Sequence, residues 1–247
     1  MKLYVLLCFL LVTSAYAGVA SAQEVKLSAL ETKCSECHAE STKMFKAGHH
    51  AKAWAKDETR NCETCHGASE THTGNPSRAT VVSFGKKSAQ TPADQNAACL
   101  KCHSTSHKVA NWQASIHNQN GVTCASCHNV HKPGELKPTV QTCLGCHKSV
   151  ASSLNKASHH PVLEGKVSCS DCHNPHGSPY KHQLAAEGVN QLCYKCHGDK
   201  RGPFVWEHFP VEENCLTCHN VHGSQHPNLL TRRVPGLCQE CHAQTLG

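Results

Sequence analysis

The hydrophobic pattern divides the chain into two unequal parts. An apolar run extends from Leu3 to Val12, after a single positive charge at Lys2 and before a stretch of small residues. This arrangement is typical of a secretory signal peptide, and a run of about ten apolar residues is too short to span a membrane. Cleavage after Ala17 or after Ala22 fits the pattern. We favour Ala22 and therefore predict a signal peptide over residues 1–22 and an exported protein.

Residues 23–247 show no long run with the period of an amphipathic helix or a half-buried strand. Aromatic residues make up 5% of the chain and hydrophobic residues 38%, and many of the latter are cysteine and alanine. A chain of this composition has too little apolar side-chain volume for an ordinary core. The pattern predicts short helices joined by loops, almost no sheet, and an interior built from something other than aliphatic side chains.

The pentapeptide CxxCH indicates what this interior consists of. It occurs nine times and uses 18 of the 19 cysteines, leaving out only Cys8 in the apolar run. The spacing is the signature of c-type haem attachment: two thiols add across the two vinyl groups of one porphyrin, and the next histidine ligates the iron as proximal ligand. We number the motifs 1 to 9 in chain order: Cys34, Cys37 and His38; Cys62, Cys65 and His66; Cys99, Cys102 and His103; Cys124, Cys127 and His128; Cys143, Cys146 and His147; Cys169, Cys172 and His173; Cys193, Cys196 and His197; Cys215, Cys218 and His219; and Cys238, Cys241 and His242.

Three other uses of cysteine pairs explain the repeat less well. Zinc ribbons contain CxxC pairs but have no need for a histidine after every pair. A thioredoxin-type site has one such motif on a βαβ background. A disulfide framework suits an exported chain but leaves the recurring histidine unexplained. The sequence therefore predicts a nonahaem domain over residues 23–247, in which nine covalently bound haem c groups form the interior.

Each iron also needs a ligand on its distal face. The chain has 22 histidines, of which nine are proximal, and Met44 is the only methionine after the predicted signal peptide. Thirteen spare histidines for nine irons favour bis-histidine ligation and hence low reduction potentials.

The spare histidines follow the pairing of motifs 1/2, 3/4, 5/6 and 7/8, while motif 9 is unpaired. One histidine precedes the second motif of each pair and another follows it, so we predict that the two haems of a pair exchange these ligands. On that model His176 reaches motif 5 and His159 reaches motif 6. For motif 9 we favour His226 over His107, His182 and the unused member of His49/His50 or of His159/His160, with a five-coordinate iron as the alternative. The predicted distal set is His49, His72, His117, His131, His159, His176, His208, His222 and His226, with His50 and His160 as alternatives to their neighbours.

The run CSECH to CETCHGASETH (34–72), together with SIHNQNGVTCASCHNVH (115–131), CSDCHNPHGS and CLTCHNVHGS, resembles the DmsE/MtrA-type periplasmic decahaem cytochromes of the doubled-CxxCH group. The resemblance covers nearly all of the predicted mature chain, although this sequence has nine motifs where the family has ten. It implies an electron wire associated with the outer membrane. Its implied partners are an outer-membrane β-barrel porin, an outer-surface multihaem cytochrome or reductase, and a periplasmic or inner-membrane electron donor.

The formal charge of +6 does not predict nucleic-acid binding, because two propionates on each haem would offset it. Electron transfer requires no catalytic acid or base and is the function that the regular motifs favour. A multihaem oxidoreductase of the nitrite or hydroxylamine type would need one haem with an open distal position. A subunit of an extracellular cytochrome filament, or a soluble periplasmic shuttle, is a further alternative.

Overall fold

The computed structural model describes residues 29–55, 57, 59–132 and 138–242, so the predicted signal peptide and its cleavage positions lie outside the described residues. The described chain forms short α-helices in sequence order. Their bounds are α1 Ala29–Ala47, α2 His49–Trp54, α3 Cys62–His66, α4 Glu70–Gly74, α5 Pro92–His103, α6 Ile116–Gln119, α7 Val140–Leu144, α8 Lys148–Leu154, α9 Cys169–Cys172, α10 Val189–Cys193, α11 Phe209–Glu213 and α12 Gly236–Gln239.

Single 3₁₀ turns lie between these helices, at His107–Val109, Trp112–Ala114, Cys124–Ser126, Lys181–Gln183, Gly198–Lys200, Cys215–Thr217 and Pro227–Leu229. Within the described residues, β pairing is limited to isolated bridges, which join Ser158 to Ser224, His173 to Leu184 and His219 to Leu230. The prediction of short helices and loops with almost no sheet is confirmed.

Each CxxCH motif folds as one helical turn that ends at its histidine. In motifs 4 to 9 the backbone N–H of the histidine donates to the carbonyl of the first cysteine, at 2.9 to 3.1 Å. In motif 1 the helix α1 runs through the motif, but His38 leaves helical geometry with φ −117° and ψ 41°. Residues three and four apart share one face of a helical turn, so this turn presents both thiols and the imidazole to the same side.

The even-numbered motifs begin at a capping residue. The backbone N–H of Asn61 donates to Thr64 Oγ1 at 3.0 Å, and that of Ser168 donates to Asp171 Oδ2 at 2.7 Å. In motif 4 the backbone N–H of Thr123 donates to Ser126 Oγ at 3.4 Å. A cap followed three residues later by a polar side chain is a strong local signal for a helix start. A turn of only four or five residues therefore forms at each of these motifs.

Few apolar side chains are buried by the polypeptide itself. In the described residues they are Ala51, Ala98, Trp112, Leu154 and Val162, each 2 to 9% exposed. The scarcity of buried apolar side chains that the composition predicts is thus observed in the described residues.

Gly177 and Gly223 sit where two segments of backbone pass close together. Their φ values are +103° and +154°, and a Cβ on either would overlap the carbonyl oxygen of a residue in an earlier segment, Asn111 or Ser153 respectively. Each glycine directly follows a histidine of the predicted distal set. The close approach therefore fixes the position of His176 and His222 relative to earlier parts of the chain.

Replacing Gly223 by alanine should destabilise the protein by about 1 kcal/mol or more, because the new Cβ meets backbone rather than a movable side chain. Gly188→Ala is the matched control, since its φ is −139° and its Cβ position is open. Denaturant unfolding followed by the haem absorption would measure both. Equal midpoints for the two variants would contradict the packing described for Gly223.

Candidate haem-binding site

The two motifs of each pair meet at their first cysteines. Burial, followed by the neighbouring thiol of Cys34, raises the pKa of Cys62 to about 12, and the two thiols are hydrogen-bonded. Burial, followed by the neighbouring thiol, also raises the pKa of Cys143 and of Cys193 to about 11. The neighbouring thiol is that of Cys169 for Cys143 and that of Cys215 for Cys193. In motif 3, the hydrogen bond that the Cys99 thiol donates to Cys124, followed by burial, raises the pKa of Cys99. The thiol pairs are Cys34–Cys62, Cys99–Cys124, Cys143–Cys169 and Cys193–Cys215.

Successive pairs meet through the second cysteine of the earlier motif instead. After burial, the charge of Cys146 raises the pKa of Cys127, and that of Cys241 raises the pKa of Cys218. After burial, the pKa of Cys65 is raised by Cys99 and then by Cys102 of motif 3, and the pKa of Cys172 is raised by Asp171 and then by Cys196 of motif 7. The nine motifs therefore form one row in chain order. Pair junctions, where first cysteines meet, alternate with inter-pair junctions, where the second cysteine of one motif lies near a cysteine of the next motif.

Eight of the nine motif histidines face a second histidine ring at nearly constant distance. The ring centres are 5.9 to 6.3 Å apart in every case. The facing pairs are His38–His72, His66–His131, His103–His50, His128–His176, His147–His117, His173–His222, His197–His160 and His242–His208.

This separation fits an iron atom between the rings. Two metal–imidazole bonds of about 2 Å each, plus the distance from each ligating nitrogen to its ring centre, give roughly 6 Å between ring centres. All eighteen motif cysteines are free thiols, as thioether attachment requires. The buried indole N–H of Trp112, whose ring contacts His176, has no acceptor among the described residues. A haem propionate is a suitable acceptor, so the residues present fit haem c.

The facing rings connect different pairs of motifs, whereas the sequence predicted exchange within a pair. His176 faces His128 of motif 4 and not motif 5. Motif 6 faces His222 and not His159. Of the histidines that follow a second motif, His72 alone faces the first motif of its own pair. The exchange model thus describes motif 1 and has to be replaced for the motifs that follow.

Three residues of the predicted distal set are displaced by other histidines in this geometry. His50 rather than His49 faces motif 3, and His160 rather than His159 faces motif 7. Motif 9 faces His208 rather than His226. Neighbouring histidines such as His49 and His50 are the same residue type, so the sequence does not distinguish them. Only the direction of each side chain in the fold does.

Backbone carbonyls orient many of these rings through Nδ1. His66, His173 and His219 lie within 2.7 to 2.9 Å of carbonyl oxygens in the loops that follow their motifs. On the facing side, His117 bonds to Pro175 O and His160 bonds to Val221 O, each at 2.8 Å. A proton held on Nδ1 leaves Nε2 free for the metal and makes the ligand more basic.

Burial also keeps several of these imidazoles in the form that binds iron. Desolvation lowers the pKa of His66, His128, His176 and His222, and neighbouring imidazoles such as His173 beside His222 lower it further in most cases. A lowered histidine pKa favours the neutral ring at neutral pH. Metal binding requires the neutral ring, so the site is prepared for ligation.

Two asparagines that the sequence did not single out hold pairs of motifs together. Asn96 lies three residues before motif 3 and is 3% exposed. Its Oδ1 accepts from the backbone N–H of Cys124 at 2.8 Å, and its Nδ2 donates to Val122 O at 3.1 Å. Asn190, three residues before motif 7, accepts from the N–H of Cys215 at 2.8 Å. The shared spacing before the first motif of a pair is the signal that could have identified them.

Comparison with known proteins agrees with this arrangement. The doubled CXXCH motif model matches residues 159–202 and 208–247, and the model of a cytochrome c-type protein, NrfB-like, matches residues 62–137. The multiheme cytochrome MtrA of Shewanella baltica (strain OS185) is 42% identical over 219 residues. That alignment covers 85% of this chain and 65% of the relative, so the chain spans just under two thirds of the relative's length.

The chain therefore belongs to the multihaem c-type cytochromes and carries covalently bound haem c. Within that class it is of the MtrA type. Among the described helices none is both long enough and apolar enough to cross a membrane.

Asn96→Leu should destabilise the protein by about 1 to 3 kcal/mol, because it leaves the buried N–H of Cys124 without an acceptor. Asn96→Asp retains an oxygen at the Oδ1 position and should recover part of that loss. Chemical denaturation of the holoprotein measures both changes. An Asn96→Leu variant as stable as the parent would show that the bond to Cys124 does not hold the pair.

Proposed function

We propose that the chain transfers electrons along a row of nine covalently attached haem c groups, at least eight of them ligated by two histidines. The observation that carries this proposal is the unbroken alternation of pair junctions and inter-pair junctions from motif 1 to motif 9. Every motif thereby adjoins the next, and no gap interrupts the row within the described residues. When bound, haem c supplies a one-electron iron couple.

The polypeptide sets the conditions under which that couple operates. A histidine on each face favours a low potential, and a carbonyl on Nδ1 increases the basicity of the ligand. Ligation on both faces also leaves little change in geometry between oxidation states. No side chain has to move a proton for electrons to pass along the row. Electron transfer depends instead on the residues that hold the rings and the motifs in place. Asn96 and Asn190, which bond to the backbone of Cys124 and Cys215, are among them.

The cellular role that we propose is a periplasmic, outer-membrane-associated conduit. Its partners would be an outer-membrane β-barrel porin, an inner-membrane or periplasmic donor, and an outer-surface multihaem cytochrome or reductase. The sequence similarity to the multiheme cytochrome MtrA supports this role. The row of motifs supports it too, because a long row can carry electrons between partners at its two ends.

Haem content and potential test the electron-transfer proposal. Pyridine haemochrome assay of the purified protein should give nine haems per chain, and potentiometric titration should show reduction spread over low potentials. Fewer than nine haems would contradict the proposed row, and high potentials typical of methionine ligation would contradict the ligand set.

Adjacent histidines provide matched variants for the distal assignments. His50→Ala should convert the haem of motif 3 to a high-spin form, because His50 faces His103. His49→Ala should leave the spin state of that haem unchanged. Low-temperature EPR of the oxidised proteins would show the difference. The reverse result would restore His49 as the ligand.

The conduit role is tested in liposomes that contain an encapsulated reductant. The chain, inserted together with a candidate porin, should transfer electrons to an external ferric chelate, and neither protein alone should do so. Equal rates for the porin alone would refute the conduit and leave electron transfer by the chain itself untouched.

A further inference from the structure

The longest interval between two consecutive motifs lies between motifs 2 and 3, and its middle part passes two rings of the first pair. We call residues 75–90 the strap. It contacts His72, the ring that faces His38 of motif 1, and His66, the proximal ring of motif 2. The strap contains no cysteine or histidine of its own. It therefore supplies no haem ligand, and what it offers the row is the way it holds these two rings.

At motif 1 the strap holds His72 through two acceptors on the same ring nitrogen. Nδ1 of His72 lies 3.1 Å from Ser77 O and 3.1 Å from Thr80 Oγ1. A carbonyl oxygen only accepts, so Nδ1 carries the proton and Nε2 is left for the metal. The Thr80 hydroxyl is itself fixed, because it lies 3.1 Å from Asn75 O and accepts from the N–H of Ser77 at 3.2 Å. Thr80 is thus an orienting side chain that a substitution can remove.

At motif 2 the strap holds His66 through both backbone groups of one residue. The N–H of Val82 donates to His66 O at 2.8 Å, and Val82 O lies 2.7 Å from Nδ1 of His66. The ring of Phe84 meets the ring of His66 edge-on, with the ring centres 5.3 Å apart. The orientation of His66 therefore depends on where residues 82–84 lie.

A glutamine at the end of the strap fixes the two residues that flank Val82. Nε2 of Gln90 donates to Val81 O at 3.1 Å, and Oε1 of Gln90 accepts from the N–H of Ser83 at 2.9 Å. One carboxamide thus bonds to the backbone on both sides of Val82. It thereby holds the carbonyl that orients the proximal ring of motif 2.

Helix α5 anchors the strap next to motif 3. Gln95 lies in this helix four residues before Cys99 and is 4% exposed. Its Nε2 donates to Gln90 O at 3.1 Å, and its Oε1 accepts from the N–H of Gly85 at 2.9 Å. Loss of either bond would leave a buried polar atom without a partner, which is costly. The strap is therefore tied to the segment that carries the next haem.

The two rings that the strap holds differ in their angle to the rings they face. The planes of His38 and His72 are 18° apart, the smallest angle among the eight facing pairs. The planes of His66 and His131 are 56° apart. In a low-spin ferric haem with two axial imidazoles, nearly parallel rings give a rhombic EPR signal, and larger angles give a larger principal g value. The haems of motifs 1 and 2 therefore contribute to different parts of the spectrum.

We propose that the strap is one positioning element for the first two haems. Thr80 acts on the haem of motif 1 through His72, and Gln90 acts on the haem of motif 2 through His66. This inference rests on the proposed haem row. A hydrogen bond from Nδ1 makes an imidazole a stronger donor, which stabilises the ferric iron and lowers its potential. Loss of either contact raises the potential of one haem and allows the plane of its ring to turn.

Thr80→Val removes the hydroxyl and keeps the shape of the side chain. In the oxidised holoprotein it should change part of the rhombic EPR signal, and potentiometric titration should show one haem shifted to higher potential. Thr80→Ser restores a hydroxyl and should reverse both changes. Thr73→Val is the matched control, since the Thr73 hydroxyl bonds to Glu70 O at 2.9 Å rather than to a ring. An unchanged Thr80→Val protein, or a change that Thr80→Ser does not reverse, would overturn the role of Thr80.

Gln90→Leu tests the second contact of the strap. It should change the signal with the larger principal g value and leave the rhombic signal as in the parent, the opposite of Thr80→Val. Gln90→Glu keeps the oxygen that accepts from Ser83 and should recover part of the change. A Gln90→Leu protein with the parent's spectrum would overturn the role of the strap at motif 2.

Pyridine haemochrome assay of each protein separates this inference from the proposal on which it rests. Nine haems together with unchanged spectra in Thr80→Val and Gln90→Leu would overturn the strap as a positioning element and leave electron transfer along the row intact. A parent protein without covalent haem would refute the electron-transfer proposal itself.

Discussion

The structure depends on one recurring contact: the histidine ring of a CxxCH motif faces a histidine ring that comes from another segment of the chain. A helical turn positions the two thiols and the proximal ring together, so the local sequence is sufficient for that half. The distal ring requires a contact between segments that are far apart in sequence. His131 and His66 are 65 positions apart, yet their ring centres are 6.2 Å apart. Contacts of this kind determine the order in which the chain folds back on itself.

The facing histidine rings join different pairs of motifs, so contacts between distant segments take the place that a hydrophobic core has in other proteins. The polypeptide buries few apolar side chains of its own. In place of a core, carbonyls in distant loops hold the rings, as Pro175 holds His117 and Val221 holds His160. The asparagines before motifs 3 and 7 add a second kind of connection, within a pair. The motif pairs 3/4 and 7/8 are therefore held by contacts within the pair as well as by contacts between pairs.

The sequence was sufficient for the proximal half of the sites and insufficient for the distal half, and the reason is physical. Spacing within CxxCH is a covalent requirement that appears directly in the residues. The scarcity of aliphatic residues likewise predicted short helices without a sheet. The partner of a distal histidine depends on the path of the chain, which composition does not encode. His49 and His50 are equivalent as residues, and only the turn of α2 decides that His50 faces His103. The exchange model failed after motif 1 because it used sequence proximity in place of that path.

The glycines after His176 and His222 show how narrowly that path is defined. The loops that carry His176 and His222 lie against an earlier segment, and that contact leaves no room for a Cβ at the next residue. The same contact delivers the carbonyl of the preceding residue to the Nδ1 of the other distal ring. One loop thus places a facing ring at one motif and orients the facing ring of the next.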